Sequence, residues 1–288
     1  RKVHLICGGP PCQGFSTIGT NDPNDMRNHL FMQYVKFVED FNPNYILIEN
    51  VTGLLALKNI DTLKSIFDCF DKLGYHLDVR VLSAHHFGVP QARRRVIIIG
   101  NNLQIENRYP DKKFNNPGEE KDVYEPARTV DWAFKNLVKH NGSQHNHELK
   151  TALIKNQLKR DRISHVPEGK SVRYERDEKK YLPKELWFGC NWEEIDEKRF
   201  REAKLKRLDR SKPSPTISTD GKKYYHPTED RYLTVREAAA IQSFPQDFNF
   251  SGSLKKQWTQ IGNAVPPLMA EALGKSIQAM HKNMKKKV

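Results

Sequence analysis

Val3-His4-Leu5-Ile6-Cys7-Gly8-Gly9-Pro10-Pro11-Cys12-Gln13-Gly14-Phe15-Ser16 is an apolar run that breaks at once into glycine and proline. Val3 to Cys7, ended by Gly-Gly-Pro-Pro, reads as a buried strand feeding a constrained loop. Outward from it, the first hundred residues alternate. Leu30, Phe31, Tyr34, Val35, Phe37 and Val38 recur at helical spacing, and Tyr45 to Ile48 is a second strand ending at Glu49-Asn50. Leu63, Ile66, Phe67, Phe70 and Leu73 mark another helix closed by Gly74, and Val79 to Ser83 and Val96 to Ile99 are two further strands. This alternation predicts an α/β fold with a mostly parallel sheet covered on both faces. Chemistry is then expected at the carboxyl ends of the strands.

The 288 residues carry 48 Lys+Arg against 35 Asp+Glu, a formal charge of +13, and 37% of them are hydrophobic. That supports a packed core, excludes a wholly disordered chain and at this length suggests two domains. No apolar stretch approaches the roughly 18 residues of a membrane span, and the short run from Arg1 to Cys7 does not read as a secretory signal. Cys7, Cys12, Cys69 and Cys190 show no paired spacing, which argues against a disulfide framework or a cysteine zinc site. A reduced, cytoplasmic protein with a polyanionic partner is expected.

The charge is unevenly spread. Residues 1–100 hold 11 Lys/Arg against 9 Asp/Glu, whereas residues 150–212 hold 19 against 12. From Asn101 no regular period survives. The basic segment bears Tyr174, Tyr181, Trp187, Phe188 and Trp192, a composition suited to nucleic-acid phosphates and bases, although a solvated loop region would read alike. Regularity returns with a capping box at Thr234-Val-Arg-Glu237 and a final helix from near Pro267, with Leu273, Ile277 and Met280 on one face. The expected organisation is an α/β domain of residues 1–100 and 257–288 around a smaller, irregular domain of residues 101–256.

Three elements of the α/β part carry chemistry. Two glycines and two prolines fix an unusual loop and place Cys12 at its apex; a lone loop cysteine is more often structural, but a thiolate presented this way could attack an electron-poor carbon. Glu49, at the end of an apolar strand, lies on the rim of the same sheet. It either reaches solvent or, partly desolvated, protonates or hydrogen-bonds a ring nitrogen. In Gln91-Ala92-Arg93-Arg94-Arg95 a period of two puts Gln91, Arg93 and Arg95 on one face and Arg94 on the other. Guanidiniums there could bind phosphate or a carbonyl oxygen. His85-His86 is read as packing or phosphate contact rather than a ligand pair, and no metal is expected.

Pro10-Pro11-Cys12-Gln13-Gly14-Phe15-Ser16, Glu49-Asn50-Val51, Gln91-x-Arg93-x-Arg95, Arg236-Glu237-Ala238-Ala239 with Gln242-Ser243-Phe244-Pro245, and Gly262-Asn263-Ala264-Val265-Pro266-Pro267 follow one another in the order seen in cytosine-5 DNA methyltransferases. On these motifs the chain resembles that family, of bacterial restriction–modification type, over nearly its whole length. The resemblance implies a Rossmann-like methyltransferase sheet and a target recognition domain in the insert. It implies that Cys12 is the nucleophile for carbon 6 of a flipped cytosine, and that Glu49 is the acid at ring nitrogen 3. Arg95 would contact the cytosine carbonyl oxygen, and Arg93 would orient Glu49 or bind a backbone phosphate. Gln13, Ser16, Asn50 and Gln91 would meet the DNA or the flipped base. Pro11, Leu30, Asn263 and Val265 would line the S-adenosylmethionine pocket, and the motif around Arg236 would brace the recognition domain.

The family's Phe-x-Gly-x-Gly cofactor loop does not precede Val3, and two strand–helix steps of roughly 30 residues each are not represented. The expectation is therefore a truncation or a separate chain that supplies this half, with weak S-adenosylmethionine binding by these residues alone. Double-stranded DNA in the nucleoid and a cognate restriction endonuclease are the partners the resemblance implies. The alternatives are a subunit of a split enzyme that recognises DNA but is inactive alone, and a tRNA cytosine-5 methyltransferase.

Overall fold

The computed structural model describes residues 2–11, 26–119, 123–135, 137, 146–194 and 205–285. Four strands, β1 Leu5–Gly8, β2 Tyr45–Asn50, β3 His76–Ser83 and β4 Arg94–Asn101, form one sheet in the order β1-β2-β4-β3. β1 and β2 are parallel and joined through helix α1, Met26–Phe41. β4 is antiparallel to both β2 and β3. The expected mostly parallel sheet is thus a mixed one. The cause is connection length: only residues 84–93 separate β3 from β4, fewer than the dozen or more that a parallel crossover needs.

Alternation along the strands sends side chains to two faces. On one face Ile46, Ile48, Val96 and Ile98 are fully buried against Phe31 and Val38 of α1 and Ile66 and Phe70 of helix α2, Ile60–Lys72. Each such isoleucine contributes about 1.5–3 kcal/mol by leaving water. On the other face Tyr45 and Leu47 pack with Ile277 and Met280. Leu30 and Phe37, counted in the helical repeat of α1, are about half exposed, so its buried stripe is Phe31, Tyr34, Val35 and Val38. Gly74 closes α2 with a φ of 80°, a left-handed conformation that favours glycine.

The chain divides into two compact units. The sheet unit comprises residues 1–87, 94–112 and 269–288, and the insert unit residues 88–93 and 113–268. Compared with the expected boundaries, Gln91 and Arg93 move to the insert unit, as do residues 257–268, while residues 101–112 join the sheet unit. The insert unit contains short helices, α3 Val130–Lys135, α4 Gln157–Ser164, α5 Glu175–Tyr181, α6 Val235–Ile241 and α7 Leu254–Asn263. Thr234 and Glu237 form the expected capping box at the start of α6. The last helix, α8, runs Pro267–Lys285.

The aromatic residues expected to meet nucleic acid are largely internal to the insert unit. Tyr181, Trp187, Phe188 and Trp192 pack against a core of Ile163, Val172 and Leu182. The Trp192 indole N–H donates to buried Glu178 at 2.6 Å, and Trp187 donates to the Leu182 carbonyl at 3.1 Å. Of the five, only Tyr174 is exposed. Basic composition did not distinguish a core aromatic from a surface one. No helix among the described residues is long and apolar enough to cross a membrane.

Candidate active site

Glu49 and Arg95 meet because β4 runs back along β2. The register pairs Glu49 with Ile97 and Asn50 with Val96. Arg95 lies two residues before Ile97, and therefore on the same face as Glu49 and diagonal to it. Arg95 Nε is 2.7 Å from Glu49 Oε1, with each side chain 14% exposed. The guanidinium is held a second time, donating from Nη1 to the Arg94 carbonyl at 2.8 Å. Glu49 Oε1 is buried, and apart from the Arg95 guanidinium no donor reaches it among the described residues. The ion pair therefore leaves acceptor capacity on an oxygen shielded from bulk water, which suits it to a heterocyclic N–H.

The loop after β1 is shaped to this carboxylate. A Cβ at Gly9 would stand 3.3 Å from Glu49 Oε2, and one at Gly8 would stand 2.9 Å from Cε2 of Tyr34. The Tyr34 hydroxyl lies 3.1 Å from the Ile6 carbonyl and 3.2 Å from that of Leu47, tying β1 to β2. Burial pushes the Tyr34 phenol well above its usual range, so it remains a donor. Asn50 donates from Nδ2 to the Pro10 carbonyl at 3.0 Å and accepts the Val51 N–H at 2.9 Å. Asn50 thus ties the end of β2 to Pro10 in the loop that follows β1. Cys12, Gln13 and Ser16 lie outside the described residues.

Gln91 and Arg93 require correction. Burial alternates as the period of two predicted, with Arg94 exposed. The buried pair, however, belongs to the interior of the insert unit. Gln91 donates to Gln242 Oε1 at 2.6 Å and accepts the Ile217 N–H at 3.0 Å. Arg93, 1% exposed, donates to the carbonyls of Gly262 at 3.0 Å and Ile217 at 3.4 Å. Gln242 in turn donates to the Ile261 carbonyl at 2.8 Å. Buried amides and guanidiniums must find partners, and these three side chains find them in one another's loops. Sealed from solvent, Gln91 and Arg93 are not placed to touch a base or a phosphate. Gln242 was legible only as part of a motif; its place in this network had no local signal.

Arg236 is buried and donates to the carbonyls of Pro245 at 3.1 Å and of Phe248, which ties α6 to the loop that follows it. Glu237 holds Arg231 through two hydrogen bonds of 2.8 Å. His85 is buried with its ring edge-on to His86 at 4.3 Å. Among the cofactor candidates, Leu30 is 50% exposed and Pro11 half-buried in the sheet unit. Asn263 is exposed and Val265 half-buried in the insert unit. On the sheet unit, Pro11 and Leu30 present accessible apolar side chains of the kind an adenosyl group can pack against.

A sheet whose edge gathers an acid, a guanidinium and a constrained glycine loop defines an α/β enzyme. More specifically, the chain belongs to the C-5 cytosine-specific DNA methylase family, whose sequence pattern matches residues 1–279. The Type II methyltransferase M1.HphI of Haemophilus parahaemolyticus is 34% identical over 292 residues, covering 98% of this chain and 70% of that protein. The Type II methyltransferase M.DdeI of Desulfomicrobium norvegicum is 33% identical over 316 residues, covering 98% of this chain and 74% of its own. The fold is similar to that of a DNA modification methyltransferase encoded within an E. coli prophage. The TM-score is 0.67 at 22% identity, covering 98% of this chain and 80% of that one.

Proposed function

We propose that this protein transfers a methyl group to carbon 5 of cytosine in a specific DNA sequence, with Cys12, Glu49 and Arg95 acting on the base. The Glu49–Arg95 pair beside the glycine loop that leads to Cys12 carries this reading. Carbon 5 of cytosine is too weak a nucleophile to take a methyl group unaided. Addition of the Cys12 thiolate at carbon 6 pushes an electron pair toward ring nitrogen 3, where Glu49 supports the proton that balances it. Arg95 meets the carbonyl oxygen as its charge grows. The resulting enamine is nucleophilic at carbon 5. It takes the methyl group as the donor's sulfur leaves with the bonding pair; water then accepts the carbon 5 proton, and departure of the Cys12 thiolate and of the nitrogen 3 proton restores the aromatic ring.

S-adenosylmethionine, the donor generally used by such enzymes, supplies an electrophilic methyl group when bound; on the sheet unit Pro11 and Leu30 would give it apolar contact. The cytosine must leave the stack to be reached, at a cost of a few kcal/mol. Recognition of the DNA sequence falls to residues 101–256, and a restriction endonuclease of the same specificity is the expected companion. Incorporation of labelled methyl into duplex DNA and not into tRNA tests the proposal; labelling of tRNA alone overturns it.

A further inference from the structure

Within the insert unit lies a cleft of about 840 Å³, in the size range of small-ligand sites, which is roughly 300–1,000 Å³. Lys155, Lys159, Lys222 and Lys255 line it, against one carboxylate, Asp220, which already accepts the Lys222 backbone N–H at 2.9 Å. The walls are apolar. Leu153 is 58% and Leu254 42% exposed, and Trp258 contributes buried aromatic surface. Gly221 lies directly on that indole: a Cβ there would stand 2.4 Å from its Cε2, so any side chain would displace the ring. Scattered exposed leucines are ordinary. Two of them in one cleft with four lysines make a site for an anion that is itself partly apolar. A bare phosphate has no use for the walls, whereas a nucleotide uses both features, its base against apolar surface and its phosphate among cations.

We propose that this cleft binds a single nucleotide, with its base against Leu153 and Leu254 and its phosphate held by the lysines. The source of the nucleotide, bound DNA outside the target cytosine, rests on the proposed function; the chemistry of the cleft does not. The test is lysine acetylation of the full 288-residue chain, followed by mass spectrometry. Conditions are no addition, a mixed-sequence 30-base-pair duplex, deoxyadenosine monophosphate, and inorganic phosphate. At least fivefold slower acetylation of the four lysines with duplex and with mononucleotide, but not with phosphate, is expected. Leu153→Glu, at an exposed position, should abolish the mononucleotide effect without lowering Tm. Protection by mononucleotide alone overturns the DNA source, and equal protection by phosphate overturns the nucleotide. Protection by none overturns the site. Methyl incorporation is read separately, so loss of the cleft leaves the proposed function standing.

Discussion

Arg95 Nε stands 2.7 Å from Glu49 Oε1 across two antiparallel strands. Parallel pairing of β4 with β2 would have sent the start of β4, and Arg95 with it, to the opposite edge of the sheet. The polarity of one strand therefore decides whether the acid has a cation beside it.

Glu49→Gln keeps the shape of the side chain and removes its charge and basicity. Methyl transfer under single turnover should fall by about 10²–10⁴, the range for loss of a positioned acid or base. Arg95→Lys should fall by at least about tenfold, because a point charge on a flexible stem does not reproduce the guanidinium held by Glu49 and the Arg94 carbonyl. Unchanged rates in both variants would remove the pair from the mechanism.

Gly9→Ala places a methyl group 3.3 Å from Glu49 Oε2, so the carboxylate must give by a few tenths of an ångström. Because catalysis is sensitive to such displacement, the rate should drop about tenfold while the urea midpoint moves little. A large loss of stability with a normal rate per folded molecule would contradict this.

Arg93→Met removes hydrogen bonds to two buried carbonyls and should destabilise the protein by about 1–3 kcal/mol in urea unfolding. Its effect on DNA binding separates the two readings of this residue. Buried as it is, Arg93 should leave the dependence of affinity on salt unchanged, whereas loss of a phosphate contact would reduce the logarithmic slope by about one.

His226 gives the insert unit a pH dependence. Its Nδ1 accepts the N–H groups of Glu229 at 3.1 Å and Thr228 at 3.3 Å, and its ring stacks on Phe134 at 5.4 Å. Burial lowers its pKa below the usual 6.5, opposed by Glu237 and assisted by Arg231. Below pH 6.5 the unfolded chain takes up a proton that the folded protein refuses, so stability is full above that value and declines as pH falls through the window beneath it. Urea midpoints at pH 7.5 and 5.5 should differ more for the wild type than for His226→Gln; an equal difference would remove His226 as the cause.

The strands and helices of the sheet unit were legible because their apolar periods are strong: β2, α2 and the start of α8 fall where the pattern puts them. Strand direction was not legible, since alternation at β4 reads the same both ways and only the short connection from β3 constrains it. For the site, Glu49 and Arg95 were readable from a strand end and a period of two. Gln91 and Arg93 obey the same period, yet alternation marks a buried face without saying what covers it. The partners that seal them, Ile217, Gln242 and Gly262, are more than a hundred residues away in the chain.

The central claim is that Cys12 bonds to a cytosine supported by Glu49 and Arg95. It is tested most directly by incubating the protein and S-adenosylmethionine with a duplex in which every cytosine is 5-fluorocytosine, whose carbon 5 has no proton to lose. A covalent protein–DNA adduct that resists denaturation, maps to Cys12 by mass spectrometry and disappears in Cys12→Ser is expected. An adduct that survives Cys12→Ser, or maps to another residue, would contradict it.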